Sequence, residues 1–535
     1  MRASKTSSRS RRSLLAALLA LSGGGVPAAV PGLDGSATPA FSLSAAAAPI
    51  SQPDGAMVYS WGYGCQSASV AFLPAITGAQ CPQMQLPGPT LIVRQGATVS
   101  VTLTNNLPKA AGNTSILFPG FNVSATPAVA SGQAAACPAQ QGLLTTEAAN
   151  GCAVTYTFVA TTEGTHSYYS GTQGDLQVEM GLYGAIVVLP AAVPAACDAG
   201  LAAANLLAEK TWGEADFRLA HSAYSHSATC YDREYLFQFA EMDQRIHRQV
   251  EEQVLADNGA CTKTGGCLAV DTEPYHPTYF VINGRSMPDD MDANNAAHFP
   301  SQPYNGNPHM HPGELVLLRI VGQGRWQHPF HEHGNHVRVL ARDGNMLLAQ
   351  RAAGDTSEAK LSGPLLFTTT TTPGQTLDGI FQWTGKGLNW DVYAHGEVGD
   401  TSTCVPDANG YYTSDPTRPN YFEWCGDHGK PLEKAPFGNV GSGGPMTLPD
   451  PNVLVNGAWY SGSPYLGADA TGRAVGGTPI PPFGTIANSP TAEAGFAYMW
   501  HSHNEREITT ANIFPGGMFM MMLVDPRTFA IDESK

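Results

Sequence analysis

A chain of 535 residues is too long for one hydrophobic core, which rarely grows past roughly 250–300 residues, so two to four domains are expected. Its 28 basic residues against 44 acidic ones leave a formal charge of −16, which argues against a nucleic-acid or anionic-membrane partner. Glycine (58) and proline (40) are abundant while only 13% of residues are charged, a composition of short strands and turns and not of long surface-charged helices.

The first thirty residues carry Arg9, Arg11 and Arg12, an apolar run over 14–21, then small residues and Pro27, the layout of an export signal too short for a stable anchor. Ser10-Arg11-Arg12-Ser13-Leu14-Leu15 resembles a twin-arginine signal; an ordinary secretory signal with adjacent arginines is the alternative. Residues 36–50, rich in Ala and Ser, read as a cleavage region or flexible lead, so 1–48 is assigned to signal and lead. No later apolar run approaches ~18 residues, so no stable membrane span is expected and the chain reads as periplasmic or secreted. Ten cysteines in an exported chain favour disulfides, and their spacing suggests Cys65 with Cys81, Cys137 with Cys152, Cys197 with Cys230, Cys261 with Cys267 and Cys404 with Cys425, although other connectivities satisfy the same count.

Gly88-Pro89-Thr90-Leu91-Ile92-Val93-Arg94-Gln95-Gly96 leads into an alternating strand over 98–107, and 180–188 closes a first domain placed at 49–195. Alternation weakens over 191–266, where 202–207 and 231–255 include helical turns. A strand and turn are expected at 279–284, strands at 314–321 and 337–344, and paired strands at 368–373 and 378–381, followed by Trp390-Asp391-Val392-Tyr393-Ala394-His395. Two topologies are consistent with this order. In the preferred one, domains occupy 49–195, 196–400 and 401–535 and the histidine-rich runs meet across an interface; in the other, 396–490 is an insertion and both runs share one domain.

The strongest chemical signal is His328-Pro329-Phe330-His331-Glu332-His333-Gly334 together with His501-Ser502-His503-Asn504-Glu505-Arg506-Glu507. Imidazoles at such spacing on extended strands are expected to gather on one face of a sheet. These runs, with the Phe514-Pro515-Gly516-Gly517-Met518 that follows and the strand after Gly88, resemble the multicopper oxidases over most of the chain. The resemblance implies an all-β fold of tandem cupredoxin-like Greek-key β-sandwich domains. It places His328 at a type 1 copper position, His331 at type 2, and His333, His501 and His503 at type 3 positions.

This chain departs from the family pattern at decisive points. The first histidine motif falls on Leu117-Phe118-Pro119-Gly120 and the second on Tyr168-Tyr169-Ser170-Gly171, while Ser502 replaces the type 1 cysteine and Glu507 stands at the type 1 histidine. Four of eight trinuclear-cluster histidines remain, and without a thiolate there is no blue copper, so a four-copper laccase is not expected. His328, His331, His333, His501 and His503 are the candidate ligands for one or two copper ions, another divalent metal being the alternative, with Glu505 and Glu507 as candidate proton-relaying acids. The expectation is an exported copper-binding oxidoreductase with an atypical site acting on a small molecule or metal ion. Its rivals are a noncatalytic scaffold that binds a protein partner and a metal-sequestering protein.

Weaker candidates are His309 and His311, read as a solvated turn with metal capture as the alternative, and Met518, Met520, Met521 and Met522, read as packing. His221, His226 and His247 fall in the irregular region without a recognisable spacing. Ser502 lacks the Gly-x-Ser-x-Gly setting of a hydrolase nucleophile.

Overall fold

Strand Thr98–Asn105 buries Val99, Val101 and Leu103 completely while its intervening residues face outward. That period of two, repeated along the chain, builds face-to-face sheets. The computed structural model describes residues 30–67, 70–76, 79–386, 405–426, 462–467, 486–488 and 494–533. The fold is all-β, with few helices. In the first sandwich one sheet runs Gly164–Tyr169, Tyr183–Leu189, Leu91–Arg94, Gly32–Asp34, Phe72–Leu73. The other runs Met57–Cys65, Ala40–Ser51, Thr98–Asn105, Ala153–Val159, Ser124–Ala128. Trp61, Tyr63, Tyr156 and Phe158 fill the space between them.

The stretch expected as a flexible lead is structural. Ala40–Ser51 is a 12-residue strand, antiparallel to Met57–Cys65 and parallel to Thr98–Asn105. Phe41, Leu43 and Ala45 point into the core at a spacing of two, and the small alanines that suggested a leader suit a strand crowded on both sides. The first domain therefore includes Gly32–Asp34 and Ala40–Ser51; residues 1–29, which hold the expected export signal, lie outside the described residues. Four expected disulfides form, Cys65–Cys81, Cys137–Cys152, Cys197–Cys230 and Cys261–Cys267, while Cys404 of the fifth lies outside the described residues.

The region of weak alternation holds helix Gly200–Thr211, strand Arg233–Met242 and helix Gln244–Asp257. Asp243 caps the last, its side chain accepting the Arg245 backbone N–H at 2.9 Å. Its buried Ile246 and Val250 pack on the first sandwich.

The second sandwich joins a sheet ordered Tyr279–Ile282, Arg233–Met242, Leu315–Gly322, Thr376–Gln382, Val337–Arg342 to one ordered His309–Met310, Phe519–Val524, Ala494–Ser502, His328–Glu332, Thr368–Thr371. This corrects the preferred three-domain division. The His501 strand pairs antiparallel with the His328 strand, so both histidine runs lie in one sheet, and the described strands after 401 complete the second sandwich. The physical reason is Trp500. It is fully buried and meets Phe237, Phe330 and Phe381 edge-on, binding the late strand to a core built by residues before 400. Trp390 to His395 lie outside the described residues. The two sandwiches meet around Asp378, whose carboxylate accepts the Thr165 hydroxyl (2.6 Å), the Thr165 N–H (3.0 Å) and the Tyr224 hydroxyl (2.5 Å).

Replacing Trp500 by Ala is expected to cost about 3–5 kcal/mol. Because Phe237 and Phe381 lose their partner, amides of Arg233–Met242 and Thr376–Gln382 should lose hydrogen-exchange protection together with those of Ala494–Ser502. Protection lost in the late strand alone would restore an independent 401–535 domain.

Candidate metal centre

Register decides which histidines meet. In the antiparallel ladder Phe330 lies opposite Ser502, His331 opposite His501 and Glu332 opposite Trp500. Since successive side chains alternate faces, His331, His333, His501 and His503 share the outer face, while His328, Phe330, Trp500 and Ser502 share the inner one. Potential ligand atoms of His331, His333 and His501 all fall within 4.8 Å of one another. The His503 ring, exposed at the rim, is 4.8 Å from His331 and 5.5 Å from His501, centroid to centroid. The three spacings between His328, His331 and His333 are not equivalent: a step of three residues turns His328 to the opposite face.

Two members of the outer cluster, His331 and His501, have the protonation a metal requires. His501 Nδ1 lies 2.7 Å from the Ser502 carbonyl, which can only accept, so Nδ1 carries the proton and Nε2 keeps its lone pair. That Nε2 faces His333 Nε2 at 3.2 Å. Burial, and then the proximity of His501 and His503, pushes His331 down to about 4. Burial likewise lowers His501. His331 Nδ1 is anchored 2.8 Å from the Thr368 hydroxyl, a contact with the neighbouring strand that fixes ring orientation. Neutral imidazoles converging through nitrogen fit Cu(II) or Zn(II).

The inner face is different. His328 is fully buried, with Nδ1 2.9 Å from Glu507 Oε2 and Nε2 2.9 Å from Glu241 Oε2. Burial opposes its charge, yet the hydrogen bonds and charges of both carboxylates lift it to about 9. An imidazolium donating from both nitrogens has no lone pair for a metal, so the structure does not bring His328 into the outer cluster. Glu507 is buried and committed to His328, to the Ser502 hydroxyl at 2.5 Å and to Asn504 Nδ2 at 2.8 Å. Glu505 is exposed on the same loop. Glu241, 87 residues before His328 in the chain, and Thr368 escaped sequence reasoning because only tertiary structure brings them there, Thr368 by strand pairing and Glu241 by the packing of the opposite sheet.

The other candidates have structural partners. His309 and His311 are not a solvated turn: His309–Met310 pairs with Leu523 and Val524, His309 Nδ1 reaches Asp525 Oδ2 (2.6 Å), and His311 bonds the Asp525 carbonyl and Glu214 (2.5 Å). Glu214, His311 and Glu314 converge, but the Arg233 guanidinium sits among them, bonded to both acids, and supplies the cation. Met518, Met520 and Met522 are core residues. His221 pairs with Asp198, His226 with the Ala359 carbonyl and His247 with the Tyr59 carbonyl.

The raised pKa of His328 has a definite sign. Its stabilisation is complete below the unfolded value near 6.5, declines as pH rises and is gone above about 9. Urea unfolding of the wild type and His328→Gln at several pH values should therefore show a stability gap that narrows between pH 6.5 and 9; a constant gap would mean the ring is neutral.

Among curated proteins none matches this sequence. Solved structures similar to it include the multicopper oxidase mgLAC (14% identity, 92% of this chain and 87% of that one, TM-score 0.42). A blue copper oxidase from Nitrosomonas europaea is also similar (14%, 90% and 85%, 0.41), as is a copper nitrite reductase from the same organism (17%, 64% and 83%, 0.35). Family models described as multicopper oxidase match residues 79–192 and 271–380. One match falls in each sandwich, and together they support membership of the multicopper oxidase superfamily.

Proposed function

We propose that the chain is an exported copper-binding oxidoreductase whose atypical site consists of His331, His333, His501 and His503 and holds one or two copper ions. The observation that carries this reading is the convergence of imidazoles from two paired strands, with His501 Nε2 and His333 Nε2 facing each other at 3.2 Å. Without a shared cation one of these nitrogens must donate to the other; a metal satisfies both lone pairs. Copper bound there would supply one-electron redox chemistry or polarise a bound small molecule.

The chain's own residues prepare that site. Thr368 and the Ser502 carbonyl orient His331 and His501, and the sandwich keeps both rings uncharged so that protons do not compete with metal. His503 stands at the exposed rim, where a ligand from solvent is reached first. Ser502 supports no thiolate centre, so the reading is not that of a four-copper laccase. Glu505, exposed beside the cluster, is the acid left to exchange protons with solvent, since Glu507 is committed inside.

Metal analysis by mass spectrometry on chain exported from copper-replete cells should find about one or two copper ions per molecule. A double variant carrying His501→Ala and His503→Ala should lose them while keeping its fold, since both side chains leave the core intact. If oxidation of phenols, metal ions or reduction of nitrite accompanies the copper and vanishes with it, the chain is an enzyme; copper without turnover would make it a sequestering protein. No metal in the wild type would overturn the proposal in favour of a partner-binding scaffold.

A further inference from the structure

We infer that Glu241, His328 and Glu507 form a closed ion-pair anchor in place of a type 1 copper centre, and that this anchor positions the His501-Ser502-His503 segment. The inference deepens the reading above in its second part, while its first part stands on the inner face alone.

The donor set at the inner position does not fit a copper ion. Ser502 supplies a hydroxyl where a soft thiolate would be needed, and that hydroxyl already donates to Glu507 Oε2 (2.5 Å) and accepts the Asn504 N–H (3.2 Å). Both nitrogens of His328 point at carboxylate oxygens 2.9 Å away. The remaining faces of the acids are also occupied. Glu241 Oε1 accepts the backbone N–H groups of Arg325 (2.7 Å) and Trp326 (3.0 Å) and lies 3.1 Å from the Tyr275 hydroxyl. Glu507 Oε1 accepts Asn504 Nδ2. The backbone also closes on this acid: a Cβ at Gly324, whose φ is +68°, would lie 2.4 Å from Glu241 Oε2.

Charge explains why three residues are used. A buried imidazolium with one carboxylate would leave a ring N–H unsatisfied, and a buried carboxylate without a cation is costly. The triad places a cation between two anions contributed by opposite sheets of the sandwich, Glu241 from Arg233–Met242 and Glu507 from the loop after Ala494–Ser502. It holds what a metal would otherwise cross-link. Through Glu507 the anchor also closes the 502–507 loop. The carboxylate takes Ser502 and Asn504, the Glu507 N–H donates to the Asn504 carbonyl (2.8 Å), and the Glu507 carbonyl accepts the Met518 N–H (2.8 Å). His501 and His503 flank Ser502, so fixing Ser502 fixes the backbone from which both outer imidazoles project. Glu507 is thus a positioning residue and not a ligand.

The test is made on the folded, full chain. Nitrogen NMR of ring-labelled histidine at neutral pH, with His328→Gln for assignment, should show both ring nitrogens of His328 protonated before any metal is added. Titration with Zn(II), a diamagnetic probe, should shift the outer histidines and leave both His328 N–H signals in place. A singly protonated His328, or loss of its N–H signals on adding Zn(II), would overturn the anchor. The positioning role is read separately from Cu(II) affinity and the Cu(II) electron paramagnetic resonance spectrum. Glu507→Ala should weaken binding about 10–100-fold with an altered spectrum, and Glu507→Gln, which keeps an acceptor for Ser502, should recover most of the affinity. Wild-type affinity and spectrum in folded Glu507→Ala would overturn positioning; should that variant not fold, a loss of about 10–100-fold in folded Glu507→Gln does the same. If the wild type binds no copper, the functional reading and the positioning role fail, while a doubly protonated His328 still supports the metal-free anchor.

Discussion

The pairing of strand His328–Glu332 with strand Ala494–Ser502 is the constraint on which the rest depends. Its register sets His331 against His501 and Phe330 against Ser502, and a slip of one residue would exchange the contents of the two faces. Such a slip would carry Trp500 out of the core, where it touches Phe237, Phe330 and Phe381, and would turn His501 and His503 into the apolar core in its place. Hydrophobic packing on one face thereby fixes imidazole geometry on the other. The outer cluster is set by a core on the opposite face, and the Trp500 indole N–H ties the two together by donating to the His333 carbonyl (3.0 Å).

The same ladder separates two electrostatic regimes only one side chain apart. On the inner face low polarity is offset by exact pairing of charge, and His328 stays protonated because two acids surround it. On the outer face no acid is bonded to His331 or His501 through the contacts that orient them; a hydroxyl and a peptide carbonyl do so, and burial keeps the rings neutral. Identical side chains in one motif are thus driven to opposite protonation states by their partners. Only the neutral ones retain lone pairs.

Much of this was legible in the sequence, and the failures have physical causes. The strand over Thr98–Asn105 shows its alternation plainly, and the spacing of His331 to His333 and of His501 to His503 is the even step that puts pairs on one face. The odd step from His328 to His331 was equally present, and its consequence for faces follows from the pleat, but the pattern of the whole motif concealed it. Ala40–Ser51 was misread because alanine and serine carry little apolar signal even where they pack at the centre of a sheet. Glu241 and Thr368 could not be found at all: neither has a local signature, and their proximity to the histidines is created by strand pairing for Thr368 and by packing of the opposite sheet for Glu241. The domain division failed for that reason too, since the late strand's natural partner lies beyond a long intervening segment.

The departures from the family pattern on the inner face are chemically matched to one another. Serine at 502 removes a thiolate, and with it the anion that would balance a bound metal. A lone neutral His328 in that space would leave a ring nitrogen without a partner, a penalty that burial makes large. Glutamate at 507 resolves the deficit by accepting from the ring and from the serine hydroxyl at once, and Glu241 takes the second ring nitrogen. Each of the three substitutes for something the others no longer supply. On the proposed reading the cation at this position is a proton on His328 held between two carboxylates, and an ion taken from solution would bind at the outer cluster instead.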